Sequence, residues 1–188
     1  MKKILLVDAS MRKNGNSEAV VDMLAEELKD CEVTVFKMRE HKCNPCIACA
    51  ACQGKETQKC VQNDDMTDLL PIIDECDGIV LASPVYNHQM SSTARAFIER
   101  LYPFFHVEKK NMSNTSKYGK KAALVLSFWG GPQEVYQKYA DWSVQTLSQM
   151  GAEEFKTLIF GGIPGRGEVK GHEEYVNQLH DLAGWLSE

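Results

Sequence analysis

Apolar and polar positions follow two rhythms that replace one another along the chain. Lys3 to Val7 is a short continuous apolar run. Ser17 to Leu28 then places Val20, Val21, Leu24 and Leu28 on one face, at helical spacing. Val33 to Met38 alternates, with Val33, Val35 and Met38 apolar, which predicts a strand with one wet face. Met66, Leu69, Leu70 and Ile73 mark a second helix that Asp64 or Asp65 can cap, and Pro71 inside it predicts a kink or a restart. Gly78–Ala82, Ala122–Phe128 and Phe155–Phe160 read as further strands. Ser91–Leu101 turns Ala94, Phe97, Ile98 and Leu101 inward, Gln133–Met150 is helical in period and stops at Gly151, and His172–Leu186 aligns Tyr175, Leu179, Leu182 and Leu186. Val107–Tyr118 is polar and predicts a surface loop.

Five strand–helix units in succession imply a parallel sheet with helices on both faces. Four of the five strand runs suit burial on both sides, while the second alternates as an edge strand would. The expected class is therefore α/β, a flavodoxin-like three-layer sandwich with a five-stranded parallel sheet of order 2-1-3-4-5, whose ligand sits outside the carboxyl ends of the strands. A chain of 188 residues fits a single domain over 1–188, interrupted by a cysteine-rich insertion at about 40–63 that has no clean periodicity.

A net charge of −5 argues against nucleic-acid binding, which needs a basic face. No run approaches membrane-spanning length. Only four apolar residues follow the opening lysines before Asp8, too few for a signal sequence, so the expected compartment is the cytoplasm. Thiols stay reduced there, and clustered cysteines favour metal or redox chemistry over disulfides.

That cluster is dense. Cys43, Cys46, Cys49 and Cys52 recur every third residue, and Cys60 follows after seven more. Overlapping Cys-x2-Cys steps are the ferredoxin pattern, whereas a zinc ribbon separates two Cys-x2-Cys pairs by a long spacer. Small Ala48, Ala50 and Ala51 let the backbone wrap closely. An iron–sulfur cluster, zinc and metal-free thiols all stay open, as does the choice of Cys43 or Cys60 as a fourth ligand. Cys31 and Cys76 flank strands and read as small core residues. His41, His106, His172 and His180 share no ligand spacing. Tyr102, Phe104 and Phe105 follow a helix and suit a subunit interface.

Three loops should meet at the switch point of the sheet. After the first strand, Ser10, Arg12, Asn14, Asn16 and Ser17 surround Gly15 and open directly into a helix. Hydroxyls, amides and a guanidinium beside free helix N–H groups suit a terminal phosphate monoester, although a plain polar turn reads the same way. After the third strand come Pro84, Val85, Tyr86 and Asn87, which could border a flat ring. After the fourth come Phe128, Trp129, Gly130 and Gly131, a stacking face beside permissive glycines.

Ser10-Met-Arg12-Lys-Asn-Gly-Asn16-Ser17, Ser83-Pro-Val-Tyr86 and Phe128-Trp-Gly-Gly131 resemble the FMN loops of the NADPH-dependent FMN reductase superfamily. Pro45-Cys46-Ile-Ala-Cys49-Ala-Ala-Cys52 through Cys60 and Asp64-Asp65-Met66 resembles its iron–sulfur flavoprotein branch. The resemblance spans nearly the whole chain. It implies FMN as cofactor, a 4Fe-4S cluster on Cys46, Cys49, Cys52 and Cys60, and phosphate donors at Ser10, Arg12, Asn16 and Ser17. Tyr86 and its neighbours would border the isoalloxazine ring. It also implies electron exchange with a small molecule or carrier protein, NAD(P)H as a possible co-substrate, and a homodimer or homotetramer. The chain departs from the family pattern at Ala9, Met11 and His88, and Cys43 is additional.

Overall fold

The structure is a computed structural model describing residues 1–53 and 59–188, so the cysteine segment is described except for 54–58. Strand β1 (Lys3–Asp8), helix α1 (Asn16–Glu27) and strand β2 (Glu32–Lys37) form the first unit. Helix α2 (Asp65–Glu75) leads to β3 (Gly78–Tyr86), the short β4 (Gln89–Met90) and helix α3 (Ser92–Glu99). Strand β5 (Lys120–Ser127), helix α4 (Gln137–Val144), strand β6 (Ala152–Phe160) and helix α5 (Glu173–Ser187) complete the chain.

The sheet order is β2-β1-β3-β5-β6, all parallel, with β4 antiparallel to β3. The parallel strands follow the expected order. The sheet nevertheless has six strands rather than five, because β3 runs past Ala82 to Tyr86 and folds back through a two-residue turn. Asn87 and His88 hold φ of 48° and 66° there, the paired left-handed conformation of a tight hairpin turn. A histidine where glycine is usual hid that turn from the sequence.

Side-chain alternation divides the core into two layers. Leu5, Val7, Ile79, Leu81 and Leu124 pack under α2, α3 and α4, with Leu70, Phe97 and Val144. Ile4, Leu6, Val80, Ala82 and Val125 pack under α1 and α5, with Leu24 and Leu182. The central strands are thus apolar on both faces, and their polar residues fall at the ends.

Several expectations are corrected. Helix α2 does not restart at Pro71, which faces solvent, where water can meet the carbonyl its missing N–H leaves free. The helix expected over Gln133–Met150 is a 3₁₀ turn, α4 and a second 3₁₀ segment. Val144, Leu147 and Met150 are buried at three-residue steps, which the tighter helix keeps on one face. The polar stretch Val107–Tyr118 is not simply a surface loop. Ser113 is buried and donates to the Gln149 carbonyl at 2.6 Å, and Asp74 accepts from the Thr115 and Ser116 hydroxyls, both at 2.6 Å. Phe104 is a core residue, while Tyr102 and Phe105 stack beside it with ring centroids 5.7 Å apart. Cys76 is buried as expected, but Cys31 is half-exposed near Ser187.

Gly151 ends the second 3₁₀ segment at φ 90°, and a Cβ there would stand 2.5 Å from the Lys117 carbonyl oxygen and 2.6 Å from Thr115 Cγ2. Gly151→Ala is expected to cost about 1–3 kcal/mol, read as a lower urea midpoint at unchanged slope; an unchanged midpoint would mean that this turn relaxes freely.

Candidate functional site

At the carboxyl end of β1 the chain turns sharply into α1. The helix N-cap is Gly15, which has no side chain to cap the first turn, so the initial N–H groups are open to an anion. A Cβ on Gly15 would press within 3.1 Å of the Arg12 carbonyl, so glycine lets the turn close tightly. The Ser10 N–H donates to Asp8 Oδ1 at 3.0 Å, and the Arg12 N–H donates to Ser10 Oγ at 3.1 Å. Ser17 is buried, with its hydroxyl 3.5 Å from that of Ser127.

Asn16 is committed elsewhere. Its Nδ2 donates to the carbonyls of Ile163 at 2.9 Å and Gly165 at 3.0 Å, and its Oδ1 accepts from the Val169 N–H at 3.1 Å. Its side chain therefore ties the loop after β6 to the start of α1, with both amide hydrogens committed to carbonyls. Asn14 turns the loop at φ 55° and donates its N–H to the Glu18 carboxylate.

Ser10, Arg12, Asn16 and Ser17 line an open cleft together with Pro84, Val85, Tyr86, Phe128 and Trp129. Four predicted residues do not line it. Asn14 and Asn87 belong to turns, and Gly130 and Gly131 stand in open space. Ser127, Ile163 and Pro164 line it without having been predicted. The run Gly161-Gly-Ile-Pro-Gly165 at the end of the last strand was the available signal. Tyr86 and Trp129 form an open lip, 53% and 77% exposed. His88 stands outside the cleft and shares a 3.1 Å hydrogen bond with the Tyr136 hydroxyl, while Tyr136 packs edge-on against Phe128.

Charge behind the loop is balanced within the protein. Asp8 is fully buried, and burial pushes its carboxyl up to about 6 against the opposing pull of the Ser10 N–H and Arg39. Arg39 pairs with Asp8 and, at 2.6 Å, with Glu18; Lys37 reaches Glu18 at 2.9 Å. Burial opposes the charge on Glu18, but the Lys37 hydrogen bond and the Asn14 N–H outweigh it and lower its carboxyl. An anion in the cleft therefore meets the α1 N–H groups and Arg12.

A second constellation lies past the end of α3. Cys46, Cys49, Cys52 and Cys60 line one small cavity with Arg100 and Tyr102. Ala48 and Ala50 take left-handed φ of 52° and 54°, coiling the backbone between the thiols, and the Ala48 N–H donates to Cys46 Sγ at 3.4 Å. Cys43 packs against the core instead, and burial and then Asp64 push its thiol up to about 11. Among the described residues no three His, Cys, Asp or Glu side chains draw in to a single-ion site. Asp64 is the N-cap of α2: it accepts the Thr67 N–H at 3.2 Å, the Asn44 N–H at 3.0 Å and both terminal nitrogens of Arg100. Of the two acidic residues that could cap this helix, Asp64 is the one that does.

A family profile described as NADPH-dependent FMN reductase matches residues 2–157. The chain belongs to that family. An iron-sulfur flavoprotein of Archaeoglobus fulgidus is 33% identical over 159 residues, 83% of this chain and 67% of the relative. One of Methanosarcina thermophila is 28% identical over 142 residues, 74% of this chain and 72% of the relative. In fold, an NAD(P)H:quinone oxidoreductase from Methanothermobacter marburgensis superposes with TM-score 0.71 at 13% identity, covering 99% of this chain and 96% of its own. Oxidised flavodoxin 1 from Bacillus cereus gives 0.61 at 15% identity, covering 99% and 97%. This FMN reductase family member is an FMN-dependent oxidoreductase of flavodoxin-like fold. Among the described residues no helix is long and apolar enough to cross a membrane.

Because Asp8 has a raised folded pKa, the folded protein holds more protons than the unfolded one between the unfolded value of 3.8 and about 6. The contribution of Asp8 is thus present below that window and lost as pH rises through it. In Asp8→Asn this loss is absent, so the stability of the variant relative to wild type should improve from pH 4 to 7, on top of a pH-independent difference between a neutral carboxyl and an amide at this site. Chemical unfolding across that range checks it; a difference that stays flat with pH would refute the assignment.

Proposed function

We propose that the cleft holds FMN with its phosphate at the first turn of α1, beside Ser10, Arg12 and Ser17, and its ring against Tyr86, Val85 and Trp129. The mix of hydroxyl, guanidinium and aromatic groups that lines the cleft suits such a ligand, and the uncapped helix start supports the phosphate position. FMN bound there supplies hydride or single-electron chemistry. The protein anchors the phosphate, orients the ring between the β3 and β5 loops and leaves its outer side open at Tyr86 and Trp129. A nicotinamide of NAD(P)H would meet the ring at that lip.

We further propose that Cys46, Cys49, Cys52 and Cys60 hold a 4Fe-4S cluster. The observation that carries this is the shared cavity: the four thiols with family spacing line it, and Cys43 does not. Four cysteine thiolates are the ligand set such a cluster takes. The donor set of four soft sulfurs beside a buried guanidinium also fits one. The reaction read from both sites is electron exchange between FMN and a small molecule or carrier protein, with the cluster as relay. In this reading the protein is a cytoplasmic homodimer or homotetramer, in which exposed Ile47, Val61 and Trp142 offer apolar surface to a second copy. The second reading, a cluster-free NAD(P)H-dependent FMN or quinone reductase, is favoured by the open aromatic lip.

Anaerobic purification with flavin, iron and sulfide analysis separates the two readings. Flavin without iron or sulfide, even after reconstitution, would select the second. Cys60→Ser should abolish the cluster while Cys43→Ser retains it, and the opposite result would move the fourth ligand to Cys43. Arg12→Ala should weaken FMN binding about 10–100-fold, the size of a lost charged hydrogen bond, measured by quenching of flavin fluorescence; unchanged affinity would place the phosphate elsewhere.

A further inference from the structure

Arg100 lies one residue past α3 and is 1% exposed. A buried guanidinium is costly unless its donors are met. Nη1 donates to the Asn44 carbonyl at 2.9 Å and to Asp64 Oδ2 at 2.7 Å; Nη2 donates to Asp64 Oδ1 and to Thr67 Oγ1, both at 2.8 Å. The remaining Nε–H has no hydrogen-bond partner among the described residues. Arg100 lines the cysteine cavity, and its guanidinium is in electrostatic reach of Cys60. The Arg39 Nε–H is also unpaired, but Arg39 answers to three carboxylates and lines neither cavity described above. At Arg100 the saturated donors hold the neck of the cysteine segment, and the guanidinium that carries the orphan lines the thiol cavity.

We propose that Arg100 is a positioning residue that sets the redox potential of the cysteine-held cluster, donating its Nε–H to the sulfur of Cys60 and presenting the positive end of a buried ion pair. The inference rests on the cluster assignment above. A cluster gains negative charge on reduction, so a donor to its sulfur and a nearby positive end favour the reduced state and raise the potential. Asp64 offsets part of that field and is itself held ionised: burial opposes its charge, but the Arg100 fork outweighs burial and holds the carboxyl well below its usual range. The protein thus stores a cation at the closed side of the cavity without leaving it unpaired.

The test is an EPR-monitored potentiometric titration of the anaerobically reconstituted full chain, after iron, sulfide and flavin have been counted. Three variants are compared with wild type. Arg100→Lys keeps a charge and loses the Nε–H. The double variant Arg100→Met with Asp64→Asn removes both charges together, so no buried carboxylate is stranded. Asp64→Asn alone keeps the guanidinium and removes its counter-charge. The expected result is a more negative cluster midpoint in the first two and a more positive one in the third, at unchanged iron and sulfide content. A residue that only anchors the loop would alter cluster content or thermal stability but leave the midpoint unmoved wherever the cluster is retained, and that result overturns the proposal. If the double variant loses its cluster, Arg100→Lys and Asp64→Asn decide, and equal midpoints in those two overturn it as well. Wild-type protein that takes up no iron or sulfide fails the cluster reading and this inference with it, whereas equal midpoints fail the inference alone.

Discussion

Burial of the parallel sheet on both faces is the constraint on which the rest depends. Strands β1, β3 and β5 have no wet face, so they can carry apolar residues only. Polar chemistry is confined to the strand ends, and parallel strands point their carboxyl ends the same way. Ser10, Pro84 and Ser127 thereby become neighbours although they are far apart in sequence. The cleft is a consequence of that packing, and the loops need only supply hydroxyls, N–H groups and aromatic faces.

Helix α3 joins the two sites. At its start Ser91 caps the helix, donating to the Ala9 carbonyl at 2.7 Å, while its own N–H donates to Ser83 Oγ at 3.0 Å. Thr93 reaches the same Ala9 carbonyl at 2.6 Å. These contacts stitch the ends of β1 and β3 beneath the cleft. Just beyond the other end of the helix, Arg100 grips the neck of the cysteine segment. A rigid eight-residue helix thus fixes the cleft and the thiol cavity relative to each other.

The neck itself is an ion pair used for placement more than for stability. Exchanging a buried pair for apolar residues is often neutral, but removing one partner strands a charge. Asp64 is engaged by Arg100, Asn44 and Thr67 at once, so both ends of the cysteine segment are anchored at one carboxylate. Side-chain amides add further ties: Gln62 donates to the Pro45 carbonyl at 3.0 Å and Gln53 to the Tyr102 carbonyl at 2.9 Å. The network around Arg39 does the same for the loop below the cleft, linking the end of β1 to α1 through Asp8 and Glu18.

The sequence by itself determined the alternating strand and helix units, the parallel order of their strands, and the spacing of the four cysteines, because each depends on local periodicity or on residues close in the chain. It also announced the polar loop after β1 that lines the cleft, whose glycine, hydroxyls and helix start lie in one stretch. Only the tertiary structure decided what depends on distant partners. It committed the Asn16 side chain to the loop after β6, brought Ile163 and Pro164 into the cleft, and moved Phe104 into the core. It formed β4 across a turn whose left-handed histidine carries no local signal. It also set Cys60 rather than Cys43 against the other three thiols, and placed Arg100 beside them, because spacing brings cysteines near one another but only packing determines which sulfurs share a cavity.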